Sequence, residues 1–295
     1  MMSSHPLHRC WLLLLLLSIV LSAVPAVAQK TGKQTRKDSP ESEKIKPADY
    51  RSRNFLIHTD LPSEKAKELL KKLETMLSLI SNYWGQRNRK TIECYVVDDL
   101  SNWSINQIHP DGIQYLRSGA GVTISRTVIQ GNRSWTNSVV YADAARGTPQ
   151  HEAVHAYCAQ ISGTTGSVWY SEGMAEMGSY WRAKDSSVNC GPWIIEYLRN
   201  SEPKSLHDIV NVKQFTGDSW QNYAWRWVLC HMLANNPNYA PRFRPLGLSL
   251  LSRQRGASFN QTYGSMKKKS CSSTSSFWNI SNVVFELIYA VGIGR

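Results

Sequence analysis

His151, Glu152 and His155 stand in the order His-Glu-x-x-His, the spacing with which one helix binds a metal ion and sets a carboxylate beside it. On an α-helix, residues four apart lie on one face, so both imidazoles can aim a ring nitrogen at a single ion. Glu152 is offset by one residue, which places its carboxylate near the ion's open position, where it can take a proton from water. The plain alternative is three ordinary residues of a surface helix. A second segment weighs against it: Trp169-Tyr-Ser-Glu-Gly-Met-Ala-Glu176 begins fourteen residues after His155 and carries Glu172 and Glu176, again four apart. A tetrahedral catalytic zinc takes three protein ligands and keeps one position open, so Glu172 completes a metal set with His151 and His155. Glu176, one turn on, is placed to orient a ligand histidine through its second ring nitrogen. Cys158 follows His155 by three and is a further candidate donor, although burial in a core or a disulfide is the ordinary state of such a cysteine.

The stretch from His151 to Glu176 resembles the gluzincin group of zinc metallopeptidases, in which H-E-x-x-H is followed on the next helix by a glutamate ligand and an acidic partner. W-x-S-E-G-x-A-E is similar to the glutamate helix of peptidase MA-like zincins, including secreted families of uncharacterised activity. The resemblance implies an α+β, zincin-like domain: a mixed sheet, an active-site helix, a glutamate helix and a helical C-terminal part. It also implies Zn2+ as cofactor, a peptide or protein substrate, and an edge strand above the zinc helix that pairs with extended substrate; Ala120 to Ser125 is the candidate, with ordinary sheet packing as the alternative. Peptidases of this type present a Tyr or His to the oxyanion, and Tyr223 is the favoured choice over His231 and Tyr170. The metzincin pattern is excluded, because Cys158 stands where its glycine would be and Ile161 where its third histidine would be. The implied reaction is peptide hydrolysis by activated water with Glu152 as general base.

The elements that must position these residues can be read from periodicity. Arg53 to Thr59 reads as a strand, Ser63 to Tyr83 as an amphipathic helix and Thr91 to Val97 as a second strand, a β-α-β opening. Ala120 to Val128 and Ser138 to Ala142 are further strand candidates. Gly147-Thr-Pro149 starts the metal helix, with Thr148 as N-cap and Pro149 at the first helical position. Pro192 to Arg199 and Trp220 to Ala234 read as helices, the latter strongly aromatic.

Residues 1–28 combine Arg9, an apolar run from Trp11 to Val20 and Ala26-Val-Ala28, which predicts a signal peptide cleaved after Ala28 and a secreted or periplasmic protein. No later stretch approaches the ~20 apolar residues of a spanning helix. Residues 29–47 are polar and charge-mixed and predict a flexible linker, with a catalytic domain over 48–265. The tail, 266–295, is rich in Ser and Lys and abandons the patterned texture before it, as a chain read out of frame would.

The net charge is +12, or +11 once Arg9 leaves with the leader. The charges are scattered and carry no nucleic-acid motif, so electrostatic association with anionic envelope polymers is expected rather than specific nucleic-acid binding. A second functional class stays open: a zinc-bearing or metal-free basic binding protein of the cell envelope without hydrolytic activity. Five cysteines follow the leader, Cys94, Cys158, Cys190, Cys230 and Cys271, with Cys190 and Cys230 a conceivable disulfide.

Overall fold

Alternation in Phe55-Leu-Ile-His-Thr59 gives a strand one face of which is fully covered: Phe55, Ile57 and Thr59 are buried while Leu56 and His58 are partly exposed. This strand is β2 (Phe55–Thr59) in a computed structural model that describes residues 45–270 apart from 105, 132, 183–188, 203 and 212–219. The predicted leader, the linker up to residue 44 and the tail from 271, with its reading-frame question, lie outside the described residues. The short strand β1 (Ala48–Arg51) pairs antiparallel to β2. Helix α1 (Ser63–Trp84) connects β2 to β3 (Ile92–Val97), which runs parallel to β2. Leu69, Leu73, Met76, Leu77, Ile80 and Trp84 recur along α1 at helical spacing and are buried against that sheet face. Each contributes about 1.5–3 kcal/mol of transfer free energy.

Two longer strands complete the sheet, β4 (Gly121–Gln130) and β5 (Arg133–Asp143), joined as a hairpin through Gly131. The order is β1-β2-β3-β5-β4: β5 is parallel to β3, and β4 is an antiparallel edge strand. Both strands run past their predicted bounds, Ala120 to Val128 and Ser138 to Ala142. The outer half of β4 is exposed on both faces, so it carries no alternation for the sequence to reveal. Helix α2 (Pro110–Arg117) covers the opposite sheet face, where Val97, Ile108, Leu116 and Tyr141 form a second, smaller core.

The remaining described helices follow in order: α3 (Thr148–Ser162), α4 (Val168–Tyr180), α5 (Pro192–Asn200), α6 (Leu206–Val210), α7 (Trp220–Asn235), α8 (Ala240–Leu251) and α9 (Phe259–Ser270). The architecture is α+β, a mixed five-stranded sheet with helices on both faces. Helix α3 packs across β5 and β4, α4 packs on α3, and α7 packs on α4. Gly173 allows that last contact, since a Cβ there would meet Cys230 Sγ and lie 2.6 Å from the Arg226 carbonyl oxygen. Cys190 and Cys230 are free thiols, not a disulfide: Cys230 is buried on α7 against α4, while Cys190 is only half-buried ahead of α5. Among the described residues no helix is long and apolar enough to cross a membrane.

Candidate metal centre

Helix α3 begins one residue earlier than the sequence suggests. Gly147, with φ +79°, is the N-cap, Thr148 and Pro149 are already helical, and the Thr148 hydroxyl bonds back to the Ala145 carbonyl. Glycine takes that left-handed backbone without strain. From this start His151 and His155 face α4, whose own four-residue rhythm turns Glu172, Glu176 and Tyr180 toward them.

Three atoms converge between the two helices. His151 Nε2 lies 3.2 Å from His155 Nε2 and 3.2 Å from Glu172 Oε2, and His155 Nε2 lies 3.4 Å from the same oxygen. Bonds of about 2.0–2.1 Å at a tetrahedral angle separate neighbouring ligands by about 3.3–3.4 Å. The triangle therefore has the size of one face of a zinc tetrahedron, and among the described residues these three form the group able to hold a metal ion.

The ring nitrogens turned away from the triangle are also engaged. His151 Nδ1 lies 3.0 Å from Glu176 Oε1, and His155 Nδ1 lies 3.1 Å from Ser171 Oγ. Carboxylates only accept, and His151 faces one through each ring nitrogen; an ion in the triangle would take the Nε2 lone pair and leave the proton on Nδ1, donated to Glu176. Glu176 is held in turn by the Tyr180 hydroxyl, which donates to its second oxygen. Tyr180→Phe is expected to weaken zinc affinity by about tenfold, read by chelator competition, because outer partners of metal-bound imidazoles typically carry effects of 10–100-fold. An unchanged affinity would show that Glu176 needs no such anchor.

Burial alone would lower the basicity of His151, but Glu172 and Glu176 overcome it and hold the imidazole well above its usual 6.5. Burial would likewise raise Glu172, yet His155 and His151 hold its carboxyl well below the usual 4.5. In the metal-free chain the His151 contribution to stability is complete below pH 6.5 and is lost as pH rises through the raised folded value. The Glu172 contribution is complete above pH 4.5 and is lost in acid, so the pair supports the metal-free fold most between those limits. A metal ion must displace the His151 proton, and zinc binding at pH 7 is expected to release about one proton per ion. Calorimetry in buffers of different ionisation enthalpy measures this; no release would mean that the free imidazole is already neutral.

Glu152 is buried and held from the sheet side. The Thr123 hydroxyl, on edge strand β4, lies 2.8 Å from both the Glu152 carbonyl oxygen and its Oε2. Gly121 leaves room for the carboxylate: a Cβ there would stand 2.7 Å from Glu152 Cγ and 3.1 Å from its Oε1. Gly121→Ala is therefore expected to press on the Glu152 carboxylate and on Thr148 Cγ2, 2.8 Å away, and any reaction in which Glu152 is the base should slow at least about tenfold, since positioning errors of about 1 Å can cost up to 100-fold. A reaction as fast in that variant as in the parent would show that Glu152 is not its base.

Tyr223 on α7 reaches the site, its ring 5.7 Å from that of His151 and nearly perpendicular to it. The buried Arg226 guanidinium carbon lies 5.8 Å from the Tyr223 ring centroid and backs it. The other two candidates are placed differently. Tyr170 is fully buried, accepts a hydrogen bond from Trp84 Nε1 at 2.8 Å and packs on Phe243, so it belongs to the core. His231 lies two turns beyond Tyr223 against Trp227, with burial pushing its imidazole down to about 4. Cys158 is not in the donor triangle; it is buried and its thiol is pushed up by burial.

The sequence thus placed His151, His155, Glu172, Glu176, Glu152 and Tyr223 in one neighbourhood, but missed Ser171, Tyr180, Thr123 and Gly121. Tyr180 had a signal, since it extends the Glu172, Glu176 spacing by another turn. Thr123 and Gly121 had none, because their contacts cross from strand to helix. A comparison with protein-family models finds no match for the chain, and a comparison with curated proteins finds none either.

Proposed function

We propose that this chain is a secreted zinc-dependent metallopeptidase of zincin-like fold, hydrolysing peptide bonds with Glu152 as general base. The observation that carries the reading is the triangle of His151 Nε2, His155 Nε2 and Glu172 Oε2, with edges of 3.2, 3.2 and 3.4 Å. Two imidazoles and one carboxylate, all oxygen and nitrogen donors, form a ligand set of catalytic zinc. Zinc, when bound, acts as a Lewis acid that polarises a carbonyl and makes a nucleophile available near pH 7.

The chain's own residues supply the rest. Glu176 and Ser171 fix the two imidazoles through their Nδ1 atoms, and Tyr180 fixes Glu176. Glu152, steadied by Thr123, accepts the proton of the attacking water and returns it to the departing amine. Tyr223 donates to the oxygen on which charge develops. Edge strand β4, which lies beside α3 and carries Thr123, offers main-chain groups along its outer side to an extended peptide.

Zinc per chain in the purified protein after dialysis against a weak chelator tests the reading together with a peptide-library digest. About one equivalent, lost in His151→Ala, with cleavage by the parent chain, is the expected result. Near-zero zinc in folded protein would make the basic binding protein the better account, and zinc without cleavage would leave a metal-bearing binding module.

A further inference from the structure

Trp193 and Trp220 keep 48 % and 41 % of their surface exposed, an expensive state for two indoles in contact. Their ring centroids lie 4.7 Å apart at 72°, and Trp220 sits equally close to Tyr197 at 67°. The cluster is anchored from below. Ile194 and Leu198 bury one side of α5, and the Tyr197 hydroxyl accepts a hydrogen bond at 3.3 Å from Nε1 of the fully buried Trp225. Trp193 also folds back over Gly191, where a Cβ would lie 2.5 Å from its Nε1.

The place of this cluster gives it meaning. Trp220, Tyr223 and Trp227 fall at the i, i+3, i+7 positions of α7 and share one face. Tyr223 meets His151 and Trp227 meets Tyr180, so that face lies along the metal centre and Trp220 is its next step outward. An i, i+3 step of about 5–6 Å along α7, taken with the 5.7 Å between Tyr223 and His151, keeps Trp220 within roughly 11 Å of the ligand ring. Extended peptide advances about 3.3 Å per residue, so this distance is spanned by at most about three residues.

We infer that Trp193, Trp220 and Tyr197 form a subsite for a large apolar or aromatic side chain of a peptide substrate, within about three residues of the bond held at the metal centre. The inference rests on the metallopeptidase reading for its substrate, and on the rings alone for its chemistry. Exposed indole edges and faces in T-shaped contact offer surfaces on which an aromatic ring or a leucine can pack offset or edge-on. A polar side chain placed there would displace water without replacing its hydrogen bonds.

The test is binding of two labelled peptides, identical but for one Phe or Asp in a Ser/Gly background, followed by anisotropy on the full chain carrying Glu152→Gln. The Phe peptide is expected to bind at least about tenfold tighter, and the ratio should fall to near one when Trp193→Ala and Trp220→Ala are combined. Trp193→Ala alone, which leaves Trp220 packed on Tyr197, should reduce the ratio about threefold with unchanged thermal midpoint, separating loss of the subsite from a misfolded α7. Equal affinity for the two peptides, no measurable binding of either, or a preference untouched by the substitutions would overturn the subsite. Failure of the peptidase reading looks different: the parent chain would cleave no peptide while the tryptophan-dependent Phe preference persisted.

Discussion

Glu152→Gln is expected to keep close to one zinc per chain while lowering kcat/KM on any cleaved peptide by about 100- to 10,000-fold. The amide has the shape of the carboxylate and can still accept from Thr123, so the packing of Glu152 between α3 and β4 survives. What it loses is the ability to hold a proton between attack and departure. Zinc content, thermal midpoint and turnover, measured on one preparation, separate these roles. A variant that cleaved as fast as the parent would remove Glu152 from the chemistry, whatever the metal does.

The second large effect concerns stability. Three electron-rich atoms held within 3.4 Å of one another favour any state in which a cation sits among them. A ligand that binds only the folded chain stabilises it by about 4 kcal/mol when present at a thousand times its Kd. For a chain of this size that corresponds to a thermal midpoint higher by about 10 °C. Strong chelation of the parent should therefore lower the midpoint by about that amount, and zinc should restore it. In His155→Ala, which lacks one corner of the triangle, the midpoints with and without zinc should coincide. A parent chain indifferent to both chelator and zinc would show that the triangle is held by protons, as the raised basicity of His151 allows in the free state.

Much of the site was legible because its chemistry repeats every fourth residue on two neighbouring helices. His151, His155, Glu172 and Glu176 needed only helical geometry to be brought onto facing surfaces. Contacts between strand and helix left no such trace. Thr123 reads as an ordinary β-branched strand residue, and nothing near Gly121 announces that Glu152 occupies the space where its side chain would be. The sheet's inner strands declared themselves through Phe55, Ile57, Ile92, Cys94 and Val96, all buried, whereas the solvated end of the β4 and β5 hairpin did not. Helix α2 is only eight residues long and α8 carries Pro245 in its interior, so length hid the first and a helix breaker hid the second. Tyr223 could be singled out only as one of three candidates, since which of them meets His151 depends on how α7 lies on α4.

All three donors of the triangle, and the groups that orient them, fall between His151 and Tyr180, two consecutive helices joined by a short connection. Closing so short a loop carries a small entropic cost compared with joining distant parts of the chain. The remaining machinery comes from far away, with Gly121 and Thr123 on the sheet edge and Tyr223 on a helix more than forty residues downstream of Tyr180. The donor triangle is thus local in sequence, whereas its meeting with Gly121, Thr123 and Tyr223 is made by the tertiary fold. Under the proposed function both zinc binding and turnover therefore depend on the whole fold, because α3 is held by β4 and β5 and α4 by α7.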